Sequence, residues 1–325
     1  MVAQISVLIL LVDLIDAIPS PASKRQRGRP PTYSDRLFLK ALVIMLVRDV
    51  STVDGLLAIL AQPTSEMQAL RERLTVNGRF PSRRTWERRL NSLPGSLPAR
   101  IACLGSYLVG RLEPWAEGGR AAAIDSSVLR ARGGVWHKKD REAGVVPHTS
   151  IDTEAHWTKS GWHGWVYGWK LHLVTTVAAV WIPLAAELTP ANAADNETAP
   201  RLLKVLPEAV RFVLGDTNYQ DPALHEHCAA AGRLLVATRR GAYPHQDDGV
   251  EVRRVFHKLR SLAIENFNGQ FKGIFDLGQH VPTRGLCRTQ RWALGAILLY
   301  QLTLLFRFDQ GGDLRVGLKA FLKAA

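Results

Sequence analysis

The sequence predicts an α/β protein: a mixed β-sheet flanked by helices, preceded by an all-α N-terminal region that is strongly basic. Three observations lead there. Before about residue 118 apolar side chains recur at helical spacing, with no strand-like alternation. From Ala121 onward strand-like and helical runs succeed one another in the order β-β-β-α-β-α-β-α-α, the pattern of a mixed sheet with helices packed on it. The 325 residues carry 42 Lys+Arg against 29 Asp+Glu, a net charge of +13, which favours a polyanionic partner. The expected organisation is a helical region over 1–117, a sheet domain over 118–310 and a tail over 311–325.

The first helix is expected around Ile5, Leu8, Val12 and Ile15, which share one face. No basic run precedes it, and Asp13 and Asp16 come after its apolar core, the reverse of a secretion signal. Residues 20–34 are polar, Pro-rich and basic and read as a linker or an extended arm. Ser34 then caps a helix over Asp35–Arg48, and further helices are expected over Thr52–Ala61, Ser65–Leu74, Arg83–Leu90 and Pro98–Leu112.

Gly118-Gly119 marks the change of pattern. Ala121–Val128, Gly164–Val177 and Val180–Leu188 read as an antiparallel meander. Next come a helix (Glu197–Leu206), a strand (Arg211–Leu214), a helix (Pro222–Ala231) and a strand (Arg233–Thr238), then helices over Arg254–Phe275 and Thr289–Phe306. The apolar run Trp292–Phe306 is interrupted by Gln301 and bracketed by Arg291 and Arg307; at 15 residues it is short for a membrane span, which needs about 20, and reads as a core helix. Cys103, Cys228 and Cys287 lie far apart with no CxxC pair, which argues against a disulfide framework or a zinc ribbon. A cytoplasmic protein without a membrane partner is expected.

Three carboxylates stand out. Asp125 lies inside an apolar strand, Ala121-Ala-Ala-Ile-Asp125-Ser-Ser-Val, where a lone charge costs several kcal/mol unless paired or bound to a metal. Its plain reading is a strand-end acid bonded to backbone or to Ser126. Asp216 ends the run Phe212-Val-Leu-Gly215, and ligand sites gather at the carboxyl ends of strands; as a turn residue it would cap the Thr-Asn segment after it. Glu265 sits on a helix that Leu262, Phe267 and Phe271 should seat on the sheet, with Lys272 two turns on along the same face. A solvated Glu–Lys pair is the ordinary account of that spacing. Three hard oxygen donors with no Cys partner suit Mg²⁺ or Mn²⁺, and a pair of such ions can clamp both oxygens of a phosphodiester displacement.

Four segments then carry a family resemblance: Ala-Ile-Asp125-Ser-Ser-Val; Gly164-Trp-Val-Tyr-Gly-Trp-Lys170-Leu-His172-Leu; Leu214-Gly-Asp216-Thr-Asn-Tyr219; and Ile264-Glu265-Asn-Phe267-Asn-Gly-Gln-Phe-Lys272. In this order, over about residues 120–306, the chain resembles the DDE transposases of bacterial insertion sequences, the insertion-sequence-four/five-like group, whose catalytic core is ribonuclease-H-like. The resemblance implies that Asp125, Asp216 and Glu265 are catalytic and hold two Mg²⁺ ions, with Mn²⁺ as a substitute. It implies an endonuclease that cuts at transposon ends and transfers the freed 3′-OH into target DNA. It also implies a homodimer on double-stranded DNA, bound to terminal inverted repeats and target, in the cytoplasm with the nucleoid. Many relatives carry Tyr and Arg seven and four residues before this Glu. Here those positions are Lys258 and Ser261, with Arg260 one residue out of register and so, on an α-helix, about 100° off the expected face. Some relatives insert a β-rich subdomain before the Glu helix; only Gly241–Val250 is available for one here.

DNA contacts are expected from Arg83, Arg84, Arg88 and Arg89 on a capped helix that resembles the recognition helix of a helix-turn-helix. Arg27 and Arg29 in Arg-Gly-Arg-Pro resemble a minor-groove arm. Lys170, Arg239, Arg240, Lys258, Arg260 and Lys272 complete the candidates, Lys272 as a phosphate contact near the cut. Trp157, Trp162, Trp165, Trp169 and Trp181 cluster in one stretch; packing across the meander is favoured over stacking on an unpaired base. His225 and His227 flank Glu226 in a helical setting, so their rings diverge, unlike the paired histidines of a relaxase. The competing function is a non-catalytic DNA-binding regulator, or a decayed transposase that only binds DNA; it predicts no effect of metal.

Overall fold

A computed structural model of the chain describes residues 6–22, 31–113, 115, 120–161, 164–237 and 250–325, with side chains from 254 in the last stretch. The chain forms two compact units, residues 1–104 with 290–325, and residues 105–289.

The first unit is helical. It holds α1 (Val7–Ala17), α2 (Asp35–Val47), α3 (Val53–Leu60), α4 (Ser65–Arg73), α5 (Arg83–Ser92) and the start of α6 (Leu97–Leu112). α2 is buried from Leu37 to Leu46, apolar all round except for Lys40, whose ammonium reaches Asp16 of α1 at 2.6 Å. Leu8, Leu11, Val12 and Ile15 bury the apolar face of α1, and Asp13 binds Arg73 of α4 at 2.6 Å. The unit later receives most of α12 (Leu286–Asp309) and α13 (Leu318–Ala324). α12 crosses α2 closely at Gly295, where a Cβ would lie 2.8 Å from a Leu42 methyl carbon. By length and composition α12 could cross a membrane, but 78% of its most apolar window is buried inside the protein.

The second unit is built on one six-stranded mixed sheet. Its strands are β1 (Ala121–Arg130), β2 (His156–Ser160), β3 (Gly164–Thr176), β4 (Pro183–Pro190), β5 (Phe212–Gly215) and β6 (Leu234–Ala237). β1 pairs antiparallel with β3 on one side and parallel with β5 on the other, and β5 pairs parallel with β6. The far edge of β3 is shared: Gly164–Gly168 pairs with β2, Trp169–Thr175 with β4. Around the sheet lie α7 (Lys138–Glu142), α8 (Asp195–Lys204), α9 (Pro222–Ala230), α10 (Val250–Arg260) and α11 (Asn266–Ile274).

This is the mixed sheet flanked by helices that the sequence predicts, with the meander, the two parallel strands and a helical N-terminal region in the expected order. Two local differences have physical causes. β2 is an edge strand of mostly half-buried polar residues, without the apolar alternation that announces a strand. The helix expected over Arg254–Phe275 is instead α10 and α11 joined by a π turn, Ser261–Glu265. The segment 241–249, which bears on an inserted subdomain, lies outside the described residues.

Candidate active site

Asp125 sits where β1 passes the last of its pairings with β5. The parallel register runs Ala121 to Phe212, Ala122 to Val213 and Ala123 to Leu214. Two further steps set Asp216, the residue after β5, level with Asp125 on the neighbouring strand, and adjacent strands lie roughly 4.8 Å apart. The carboxyl end of β5 is therefore beside the middle of β1, where Asp125 opposes Leu173 of β3.

Asp125 is 21% exposed, and burial pushes its pKa up to about 6; the Arg260 guanidinium and the Ser126 N–H pull it down, while Asp216 and Asp195 push it further up. Its Oδ1 accepts from the Ser126 N–H at 2.8 Å. Asp216 is turned to its own loop: Oδ1 accepts from the Asn218 N–H at 2.8 Å and Oδ2 from Asn218 Nδ2 at 3.3 Å. Both plain readings, a backbone-bonded strand acid and a turn-capping acid, are thus realised in the local bonds. They coexist with the proximity of the two carboxylates.

Glu265 is 58% exposed at the end of the π turn, and its Oε1 accepts from Arg260 Nη2 at 3.2 Å. Arg260 Nη1 lies 3.6 Å from Asp125 Oδ2, so one guanidinium spans both acids. Its side chain is only 7% exposed, and its Nε and Nη1 have no hydrogen-bond acceptor. The 100° offset expected for Arg260 is corrected here: the π turn takes one residue more than an α turn and brings the arginine back to the acids. Lys272 is half-buried and donates to the Val128 carbonyl at 3.2 Å; burial lowers its pKa against the pull of Asp125.

Two groups beside these had no role in the sequence reading: Asp195, which it passed over, and Tyr219, which it placed only as the tyrosine that follows Asp216. Asp195 opens α8 and lies 3.3 Å from Lys170 Nζ and 3.4 Å from His172 Nδ1. Burial lowers the His172 pKa to about 4, against Asp195, so the ring is neutral at pH 7; its Nε2 is 2.9 Å from Thr189 Oγ1. Lys170 also donates to the Ala193 carbonyl at 2.8 Å and is turned inward, on the face of the sheet opposite to Asp125. Tyr219 is the second: its ring covers Gly215, its hydroxyl is buried with no partner, and burial with Asp195, Asp125 and Asp216 raises its pKa well above the ordinary value. The signals were the acid at the head of an amphipathic helix and the tyrosine three residues after Asp216.

Among the described residues no three His, Cys, Asp or Glu side chains form a closed set that could hold a metal ion as they stand. The chemistry of the donors fits a hard divalent cation. All are carboxylate oxygens, one of them desolvated, and a cation already lies between two of them in the form of Arg260.

In the helical unit, α5 is capped by Ser82 Oγ, which accepts from the Thr85 N–H at 3.3 Å, and anchored by buried Trp86 and Leu90. Trp86 packs edge-on against Phe38 at 5.2 Å. Arg83 pairs with Asp54 and Glu87, each at 3.1 Å, and Arg89 pairs with Asp35 and covers the Phe38 ring. Arg84 and Arg88 are exposed and, among the described residues, carry no ion pair. Arg88 and Arg89 line a cleft of about 350 Å³ with Thr85 and the segment Pro31–Tyr33. Lys258 is exposed on α10. Arg27, Arg29, Arg239 and Arg240 lie outside the described residues, as does Trp162. Of the other tryptophans, Trp169 is fully buried, Trp157 packs on Tyr167 at 5.4 Å and donates to the Trp136 carbonyl, and Trp165 is 65% exposed.

The family described as "Transposase DDE domain" matches residues 116–302, more than half of the chain. No curated protein matches in sequence. Among solved structures, a piggyBac transposase synaptic complex with hairpin DNA is 11% identical, with 96% of this chain and 74% of that chain covered and a TM-score of 0.40. A Mos1 transposase paired-end complex with left transposon end is 16% identical, with 89% and 83% covered and a TM-score of 0.24. A Mos1 mariner paired-end complex with Mn is 16% identical, with 88% and 82% covered and a TM-score of 0.22.

Proposed function

The chain belongs to the DDE-domain transposase family, and from that premise we propose that it cuts DNA at transposon ends and joins the freed ends to target DNA with the help of divalent cations. The observation that supports the proposal is that Asp216, at the end of β5, stands level with Asp125 on β1, while Arg260 links Asp125 to Glu265 at the π turn. Within the protein the Arg260 guanidinium offsets part of the charge of Asp125 and Glu265, which leaves Asp216 to be compensated from outside. The three acids would hold Mg²⁺ or Mn²⁺, as a pair of ions. Bound there, the cations would supply charge neutralisation for the attacking and leaving oxygens.

The chemistry needs no other cofactor. In the first step a water oxygen attacks the phosphorus at the transposon end, the bond from phosphorus to the 3′-oxygen breaks, and that oxygen takes up a proton. In the second step the new 3′-OH loses its proton and attacks a target phosphodiester, and a target 3′-OH leaves. One phosphodiester is broken for each one formed, so joining is nearly isoenergetic. The protein's share is mostly positioning. Arg84 and Arg88 of α5 would contact the DNA, with Lys258 of α10, and Arg27, Arg29, Arg239 and Arg240 as further contacts from outside the described residues. Paired ends call for two protomers, and the insertion-sequence-four/five-like group is the subgroup proposed, acting in the cytoplasm on nucleoid DNA.

Joining tests this reading without prior cutting. A labelled, pre-cut transposon end is mixed with supercoiled plasmid, protein and Mg²⁺. Label joined to the plasmid, and lost with Asp125→Asn, supports the proposal. Binding of the end with no joining under Mg²⁺ or Mn²⁺ supports a DNA-binding regulator instead.

A further inference from the structure

On a plain α-helix Arg260 and Glu265, five residues apart, would point about 140° away from each other. They meet because Ser261–Glu265 winds as a π turn, which closes on the fifth residue instead of the fourth. The cost of that winding is visible. Leu262, an apolar side chain, is left 52% exposed, and the Leu262 carbonyl takes its hydrogen bond from Asn266 Nδ2 at 2.7 Å. Ala263 and Ile264 stay in the core. An unfavourable winding persists where something is gained from it, and π turns gather at functional sites.

What it places is a buried cation. Arg260 is 7% exposed and pairs with Asp125 at 3.6 Å and Glu265 at 3.2 Å, yet two of its nitrogens make no hydrogen bond. A guanidinium kept for its hydrogen bonds would be better satisfied. One kept for its charge fits this geometry. We infer that Arg260, carried into the acid pair by the π turn, is a positioning residue that holds Asp125 and Glu265 together until a divalent cation takes over that charge. The inference rests on the reading of these acids as metal-binding. It gives Arg260 an internal role in place of a phosphate contact, and gives Leu262 the role of the inserted residue that sets the register.

The experiment is thermal unfolding of the full chain and of Arg260→Gln, each in EDTA and in excess Mg²⁺ or Mn²⁺. The variant leaves the acids uncompensated, so its Tm in EDTA falls and the cation restores it. The gain in Tm on adding metal is expected to be at least about twofold larger than in the unaltered protein, where Arg260 must first be displaced. If Arg260→Gln does not fold in EDTA, its refolding yield with and without Mn²⁺ reads the same effect. A deletion of Leu262 tests the register separately: it turns the π turn into an α turn with Arg260 still facing Glu265. Its Tm should stay within about 3 °C of the parent, whereas deletion of Gly269, in regular helix, should cost more than about 10 °C. An equal or smaller metal response in Arg260→Gln overturns the role of Arg260. Equal damage from the two deletions overturns the role of the π turn. No metal response in either protein removes the metal-binding reading itself, and this inference with it.

Discussion

Lys272 Nζ lies 3.2 Å from the carbonyl oxygen of Val128, so the lysine two turns beyond Glu265 is fastened to the strand that carries Asp125. The bond ties α11 to β1. A half-buried charged donor to a carbonyl is worth about 2 kcal/mol. Lys272→Met should lower the unfolding free energy by about that amount in urea titrations, with Lys272→Arg nearer to the parent. An unchanged stability would mean that the bond is dispensable and the ammonium is free for a phosphate.

The raised pKa of Asp125 sets a pH dependence. Its ordinary value is 3.8 and its folded value about 6, so between them the folded protein holds a proton that the unfolded chain has lost. The contribution of this group to stability therefore falls as pH rises from about 4 to about 6 and is level above. Cation binding needs the carboxylate, so Mn²⁺ affinity should rise through the same window and flatten beyond it. Asp125→Asn should remove that part of the stability profile. A difference between the two proteins that does not vary across about pH 4 to 6 would contradict the assignment.

Gly215 is required by contact. A Cβ there would lie 2.8 Å from the Tyr219 Cβ and 3.1 Å from its ring. Gly215→Ala should push Tyr219 out of place and shift the adjacent Asp216, with a loss of about 2 kcal/mol from overpacking and a larger fractional loss of DNA cutting. Tyr219→Phe removes only a hydroxyl that is buried without a partner, and should leave stability unchanged or raised. Urea titration checks both.

The arginines of α5 should divide by their partners. Arg84→Ala and Arg88→Ala are expected to weaken binding to DNA and each to lower the salt slope by about 1, with no loss of stability. Arg89→Ala loses the Asp35 pair and the Phe38 contact, so its effect should appear in Tm as well. Binding isotherms at several salt concentrations, next to melting curves, distinguish the two classes. Equal salt slopes for Arg84→Ala and the parent would remove α5 from the interface.

Much of the fold was legible because periodicity and turn residues are local. The order of strands and helices, and Asp125, Asp216 and Glu265 as the conspicuous acids, all come from short windows of sequence. The relations between windows were not. That Asp216 stands level with Asp125 depends on the register of β1 and β5, which no single window contains. Lys170 turns inward because α8 brings Asp195 over its side of β3, and strand alternation alone does not say which side is covered. The offset of Arg260 was counted correctly in residues; the angle per residue changes in the π turn, and the count cannot reveal that.

If Asp125, Asp216 and Glu265 together carry a metal-dependent cut, each must be needed for it. Labelled DNA bearing the element's own ends, incubated with and without Mg²⁺, tests this with the parent protein, Asp216→Asn and Glu265→Gln. Cutting at the end is expected only with metal, with a loss of at least about a hundredfold in each variant and end binding kept by all three. Cutting that persists in either variant, or binding with no metal-dependent cutting by the parent, would contradict the three acids' shared role.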